Sequence, residues 1–245
     1  VSLDEMMAKL ATQPLAFQPG SQFRYSVATD VLAHVIEKAT GERLDDLLEA
    51  HLFTPLKMND TGFRLAQESQ DRLMPMFGVD NIRALSPLNP PSAQTLTAID
   101  VESMYPSSDS NFIRGGHGLF STTSDYLKFS TMLLDGKTPD GDVLLSRTML
   151  KMMQANRIPA NQLPLKIGIG ALPGYGWGLS GRVMMDTGHA MSLTNNGEFG
   201  WAGAAATYFW VDPSEAMVGV IMTQYLGSIL PLSDELRTAA YQMLD

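Results

Sequence analysis

The sequence predicts an α+β fold in which helices come first and an antiparallel sheet, flanked by helices, follows. In the first part of the chain, apolar residues recur every three or four positions, as in residues 27–39. After about residue 165 the segments become rich in aromatic and β-branched residues, which is typical of strands. Because the runs of helices and of strands are separate, an α+β fold is favoured over an alternating βαβ fold.

Helices are predicted where apolar residues recur at helical spacing between a capping residue and a helix breaker. Gly41 suits the left-handed C-terminal cap of one helix, and Pro55 predicts that the next helix stops before it. Thr122 followed by Asp125 resembles a capping box that begins another helix. The predicted helices cover residues 27–39, 44–52, 122–136, 146 to about 156, and 233 onward.

Strands are predicted in the last third of the chain. Residues 212–215 form an Asp-Pro-Ser-Glu turn signal between two of them. The predicted antiparallel strands cover residues 175–185, 204–211 and 217–224. We therefore expect a mainly helical region over 1–165 and a sheet with the C-terminal helix over 166–245. Within the first region, the irregular residues 64–115 are too long for a simple connection and are predicted to form a cleft wall.

Composition excludes several classes of function. The chain of 245 residues has no cysteine, so disulfide scaffolds, thiolate catalysis and Cys-ligated metals are excluded. Its formal net charge of -9 disfavours nucleic acid as a partner, because phosphate binding needs a basic surface. The longest apolar runs, such as residues 217–222, are too short to span a membrane. Cytoplasm and periplasm both stay open as compartments, since either is compatible with a lack of cysteine.

The sequence lacks the common metal and nucleophile motifs. Its four histidines do not pair at the one-turn spacing that a helical metal site uses. Neither a Gly-x-Ser-x-Gly nucleophile elbow nor a phosphate loop occurs. We therefore expect no metal and no cofactor.

Two segments contain residues that could together form a catalytic site. Tyr25 and Ser26 stand at the start of the helix predicted over residues 27–39. Residues 198–204 lead into a strand with glycines that let a substrate approach the backbone. A tyrosine beside a helix start and an open strand edge would supply a proton acceptor and an N–H donor for an oxyanion.

Six stretches of the sequence, in order along nearly the whole chain, resemble those of a known family. They are PGSQFRYS at 19–26, IEKATG at 36–41, FTPLKMNDT at 53–61, GGHGLFST at 115–122, GWG at 176–178, and the strand region 201–224. The sequence resembles the serine β-lactamase and penicillin-binding-protein-like hydrolases, in particular the class C β-lactamases and their esterase branch. The resemblance implies a β-lactamase/transpeptidase-like fold.

The resemblance also implies roles for named residues. In that family a serine of a Ser-x-x-Lys motif is activated by the lysine and by a tyrosine, and it is acylated by substrate carbonyls. Tyr25 corresponds to that tyrosine. The family's Lys-Thr-Gly or His-Thr-Gly motif falls on Trp201, Ala202 and Gly203, which would contact substrate, and the N–H of Ala204 would be one oxyanion donor.

Two departures from the family pattern affect the expected substrate. Val27 stands where many members have an asparagine that would hydrogen-bond a substrate side chain. Trp201 and Ala202 replace the cation and hydroxyl that would hold the carboxylate of a β-lactam. Because a tryptophan at this position is known in the esterase branch, the resemblance favours small, uncharged esters in an apolar cleft.

The third departure is the lack of any Ser-x-x-Lys motif. In the family this motif lies well upstream of the tyrosine, so we expect a missing N-terminal strand–helix segment of the same protein to carry the nucleophile. The chain alone is then expected to be inactive. Three readings stay open: a serine esterase, a β-lactamase or D-Ala-D-Ala peptidase, and a non-catalytic binding module. For an enzyme, the acyl acceptor is either water or another alcohol.

Overall fold

The structure, a computed structural model, describes residues 2–25, 27–78, 97–101, 113–167, 170–179, 181–228 and 230–244. Its fold is α+β, as predicted. The helices are α1 (Leu3–Leu10), α2 (Ala28–Thr40), α3 (Leu44–Leu48), α4 (Thr54–Leu56), α5 (Thr123–Asp135), α6 (Arg147–Met153) and α7 (Leu232–Tyr241). The strands are β1 (Met76–Gly78), β2 (Thr97–Ile99), β3 (Leu165–Ile167), β4 (Gly170–Leu172), β5 (Tyr175–Trp177), β6 (Arg182–Met184), β7 (Phe199–Ala202), β8 (Tyr208–Asp212), β9 (Met217–Ile221) and β10 (Tyr225–Leu226).

The predicted caps of the two longest helices are confirmed. α2 ends at Gly41 with a φ of 77°, and α5 ends at Gly136 with a φ of 79°. The Thr122 side chain accepts the Asp125 N–H at 3.2 Å, which is the first half of the predicted capping box. The Asp125 carboxylate accepts instead the N–H of Asp60, at 2.8 Å, and so joins α5 to a distant loop.

Pro55 does not stop the helix that precedes it, and that prediction is wrong. In a regular α-helix the Pro55 ring would collide with the carbonyl of His51. A π-helical turn over Glu49–Phe53 widens the helix at this point, and the Thr54 N–H donates to the Glu49 carbonyl. The chain therefore continues from α3 through this turn into α4.

The long irregular segment predicted at residues 64–115 is only partly described, since 79–96 and 102–112 lie outside the described residues. The described part contains a 3₁₀ turn over Gln67–Arg72 and the strands β1 and β2. These strands pair antiparallel with each other, and β1 also pairs in parallel with β10 from the end of the chain. The spacing of residues did not predict these strands, because the strands with which they pair lie far away in the sequence.

The main sheet consists of β5 to β9 in sequence order, and each strand is antiparallel to the next. The predicted segment 175–185 is a hairpin rather than one strand, with the Gly178 N–H donating to the Gly181 carbonyl at 2.8 Å. The predicted segment 204–211 becomes a strand only at Tyr208, because Gly203 and Thr207 close a turn first. The turn predicted at 212–215 is confirmed, as the Asp212 carboxylate accepts the Ser214 N–H at 2.8 Å.

Alternate residues of β8 face opposite sides of the main sheet. Phe209 and Val211 join an apolar core with Phe199 of β7 and with Met132 and Leu133 of α5. On the opposite side, the Trp210 ring lies over Gly219, where a Cβ atom would be 2.1 Å from the ring. The sheet is thus covered by α5 on one side and carries polar residues on the other.

A buried polar network holds α7 against the second side of the sheet. Arg237 Nη1 lies 2.6 Å from Glu198 Oε1, and the two side chains are 2% and 1% exposed. The same nitrogen donates to the Tyr175 and Tyr208 hydroxyls at 3.1 and 3.3 Å. Burial raises the pKa of Tyr208 to about 12, so this hydroxyl keeps its proton at neutral pH. The network joins α7 to β5, to β8 and to the residue that precedes β7.

None of the described helices is long and apolar enough to cross a membrane. The division predicted between residues 165 and 166 stays a prediction.

We predict that Arg237→Met lowers the free energy of unfolding by about 3–5 kcal/mol, because it leaves the Glu198 carboxylate buried without its cation. The matched control is Lys38→Met, which breaks an ion pair with Asp4 whose two side chains are both 61% exposed. The control should change the free energy of unfolding far less, because water screens an exposed ion pair. Urea denaturation of both variants measures the difference, and equal losses would contradict the prediction.

Candidate active site

Tyr25 lies in the loop that leads into α2, and its side chain is 51% exposed. The N-cap residue of α2 is Val27, which makes no side-chain capping bond, and its carbonyl accepts the N–H groups of Asp30 and Val31. Val27 is itself 41% exposed at this helix start. Ser26, between the two, lies outside the described residues. The phenol is therefore presented to solvent at the mouth of a helix, as the sequence predicts.

Four aromatic rings gather around the phenol, and we call Phe23, Tyr25, Trp177 and Trp201 the aromatic cluster. The Tyr25 ring centroid lies 5.3 Å from that of Trp201 and 6.0 Å from that of Trp177. The two indoles meet edge to face at 4.5 Å, and Phe23 lies 5.5 Å from Trp177. Such tilted and edge-to-face pairs are the favoured aromatic geometries. The cluster gives Tyr25 an apolar setting on a solvent-facing surface.

Trp201 and Tyr25 are joined by a hydrogen bond across 176 residues of sequence: the indole Nε1–H donates to the Tyr25 hydroxyl at 3.2 Å. An indole N–H only donates, whereas a phenol both donates and accepts. Because the Trp201 N–H donates to the phenol oxygen, the Tyr25 O–H proton remains available for donation to another group. This bond fixes the tyrosine oxygen relative to the end of β7.

The open strand edge predicted for this segment needs correction, because β7 lies inside the main sheet, between β6 and β8. Among the described residues, β6 pairs with Phe199 and Gly200 and no further along β7. Trp201 and Ala202 pair with β8 on their other side. The strand is therefore interior at its start and open at its end, where the predicted substrate-contacting residues stand.

Beyond β7 the chain makes a tight turn that carries the predicted oxyanion donor. The Gly203 N–H donates to the Thr207 carbonyl at 2.8 Å, and a Cβ atom at Gly203 would lie 2.1 Å from Thr207 Oγ1. Ala202, Gly203 and Ala204 are all exposed. Within the described part of the chain, the N–H of Ala204 donates to no acceptor, while its carbonyl accepts the Gly227 N–H at 3.3 Å. A solvent-facing N–H is what an oxyanion donor requires.

Sequence reasoning missed Phe23 and Trp177 as members of the site, and it missed the residue that holds Trp177. Asn156 Oδ1 accepts the backbone N–H of Trp177 at 3.0 Å, and the backbone N–H of Arg157 donates to the Trp177 carbonyl at 2.7 Å. A Cβ atom at Gly176 would lie 2.3 Å from Asn156 Oδ1, so β5 can lie this close to Asn156 only because residue 176 is glycine. The Gly-Trp-Gly motif and the turn-forming asparagine after α6 were the available signals. α6 ends at Met153, earlier than predicted.

The chain is similar to known proteins over most of its length. Residues 1–242 match the family described as Beta-lactamase. Protein Rv1367c of Mycobacterium tuberculosis is 30% identical over 226 residues, which cover 91% of this chain and 53% of that protein. Esterase EstB of Burkholderia gladioli is 28% identical over 253 residues, which cover 98% of this chain and 59% of that protein.

A solved structure described as "EstCE1, a hydrolase with promiscuous acyltransferase activity" has the same fold. It superposes with a TM-score of 0.80 at 24% identity, over 98% of this chain and 62% of that one. The chain thus spans between half and two thirds of the length of each of these proteins.

We predict that Tyr25→Phe shifts the indole N–H signal of Trp201 in a ¹H–¹⁵N spectrum, because the acceptor of its hydrogen bond is lost. The free energy of unfolding should fall by about 1 kcal/mol or less, since the ring stays and the site is half exposed. Trp201→Phe identifies the signal by removing it. An unchanged Trp201 signal in Tyr25→Phe would contradict the observed bond.

Proposed function

Because the chain belongs to the β-lactamase family, we propose that the protein is a serine hydrolase of the carboxylesterase type, which cleaves small esters through an acyl-enzyme. The observation that carries this proposal is the hydrogen bond from Trp201 to a half-exposed Tyr25 within the aromatic cluster. It joins the family's tyrosine to a strand end that has an indole in place of a cation.

In the proposed mechanism, the nucleophilic serine and its lysine lie outside this chain. The serine oxygen attacks the ester carbonyl carbon, and Tyr25 with the lysine takes the serine proton and passes it to the departing alcohol. Water then attacks the acyl-enzyme carbonyl and releases the acid and the free serine. The N–H of Ala204 would be one of two donors to the oxyanion of each step.

The substrate class follows from the side chains around the phenol. Phe23, Trp177 and Trp201 present rings, and Val27 adds an exposed apolar group. An apolar surface favours uncharged substrates, since a carboxylate placed on it would lose its hydration without gaining a partner. The name of one relative at 28% identity, an esterase, supports an ester as the substrate.

We predict that Tyr25→Phe lowers kcat for p-nitrophenyl acetate by about 10²–10⁴-fold, the usual contribution of a positioned acid–base group. The matched control is Tyr126→Phe, which removes a hydroxyl from a ring packed 5.4 Å from both Phe129 and Phe209 in the core. That control should keep its activity. Initial rates at several pH values provide the measurement, and they are taken on the full-length protein, which includes the segment expected to carry the serine and lysine.

The same assay separates the alternatives. Full activity in Tyr25→Phe would overturn the role of Tyr25. Faster turnover of nitrocefin or of a D-alanyl-D-alanine peptide than of the ester would identify a β-lactamase or peptidase. Binding of the ester without release of p-nitrophenol would identify a non-catalytic binding module.

A further inference from the structure

Two buried carboxylates occupy matching positions in the two longest helices. Asp30 in α2 and Asp125 in α5 are each the third residue of a 13-residue helix, and they are 2% and 3% exposed. Each accepts a backbone N–H from a remote segment: Asp30 Oδ1 from Gly115 at 3.1 Å, and Asp125 Oδ2 from Asp60 at 2.8 Å. A negative charge in the first turn of a helix is also favoured by the helix dipole.

The segment that Asp30 holds, residues 113–122, runs from α2 to α5, and we call it the strap. At Gly115 a Cβ atom would lie 2.1 Å from the Thr29 carbonyl oxygen, and at Gly116 it would lie 2.9 Å from Thr29 Oγ1. Both glycines have negative φ, so contact with α2 rather than backbone conformation requires them. The strap therefore lies directly against the first turn of α2.

The other end of the strap is also fixed. Phe120 exchanges two backbone hydrogen bonds with Gly62, at 2.8 and 3.1 Å, and Thr122 caps α5. α5 in turn packs on the main sheet, which carries Trp201. The strap is thus a physical connection between the sheet side of the site and the helix start that presents Tyr25.

The first turn of α2 depends on this connection because it has no side-chain cap of its own at Val27. Tyr25 stands two residues before Val27 and is held at its ring by Trp201 and Trp177. A shift of this turn would move the phenol oxygen relative to the Trp201 N–H. The Asp30 carboxylate joins this turn to the strap, because its Oδ1 accepts the Gly115 N–H at 3.1 Å.

We infer that Asp30 is a positioning residue for Tyr25: its buried carboxylate fastens the strap to the first turn of α2 and so sets the place of the phenol. The kinetic part of this inference rests on the proposed function, whereas the structural part does not. Asp125 provides the control, because it stands at the same helix position and accepts the Asp60 N–H instead. It also accepts the Thr61 hydroxyl and pairs with Lys128 Nζ, so its loss should cost at least as much stability as the loss of Asp30.

The experiment compares Asp30→Ala with Asp125→Ala in the full-length protein, which includes the segment expected to carry the nucleophile. Both should lower the melting temperature by a few degrees, roughly 2–10 °C, since each removes a buried carboxylate that accepts a backbone N–H from a remote segment. Asp30→Ala alone should shift the Trp201 indole N–H signal and lower kcat for p-nitrophenyl acetate by about 10–100-fold. The KM of Asp30→Ala should change little, because the two indoles of the cluster, Trp177 and Trp201, keep their places and only the phenol moves.

Asp30→Asn keeps an oxygen that can accept the Gly115 N–H, so it should restore the Trp201 signal and most of kcat. If Asp30→Ala does not fold, Gly116→Ala serves instead, because its methyl group would push the strap from Thr29 while the carboxylate stays. It should shift the Trp201 signal in the same direction.

The outcomes separate the inference from the proposed function. If Asp30→Ala loses stability as Asp125→Ala does but keeps the Trp201 signal and kcat, Asp30 is merely structural and the inference is overturned. If the Trp201 signal moves while Tyr25→Phe remains fully active, the positioning stands and the proposed role of Tyr25 fails.

Discussion

The buried ion pair between Arg237 and Glu198 is the constraint on which the sheet and its site depend. Both charges are almost completely removed from water, at 2% and 1% exposure, and their pairing offsets the cost of burying them. Glu198 Oε2 also accepts the Thr194 hydroxyl at 2.7 Å, which satisfies the second oxygen. Since Glu198 directly precedes β7, the pair fixes where that strand begins, and Trp201 lies three residues further along it.

Strand alternation then carries this constraint to the site. Phe199 and Trp201 of β7 face the core that α5 covers. Gly200, between them, faces the opposite side of the sheet, and a Cβ atom there would lie 2.2 Å from the Phe209 carbonyl oxygen. Among the described residues, β6 pairs with β7 only as far as Gly200, and Ala202 at the end of β7 is exposed. The same strand is therefore rigid at its start and accessible at its end, a combination that suits a site held by a stable frame.

The chemistry of the site comes from donors and rings rather than from a local cation. The Trp201 N–H contacts the Tyr25 oxygen, and the neighbouring rings are apolar. In the family that the sequence resembles, this strand position has a lysine or histidine. The exchange keeps a hydrogen-bond donor and removes the charge, and it is the physical basis of the proposed preference for uncharged esters over carboxylate-bearing β-lactams.

By itself, the sequence determined the fold class, the caps at Gly41, Thr122 and Gly136, and Tyr25, Val27 and Trp201–Ala204 as candidates, because local spacing and short motifs express backbone preferences. Only the tertiary structure brought Trp201 to Tyr25 and Gly115 to Asp30, at separations of 176 and 85 residues. It also placed Trp177 in the cluster and carried the helix past Pro55. These features depend on packing between remote segments, and no local pattern encodes which distant partner will satisfy a buried charge or cover an exposed ring.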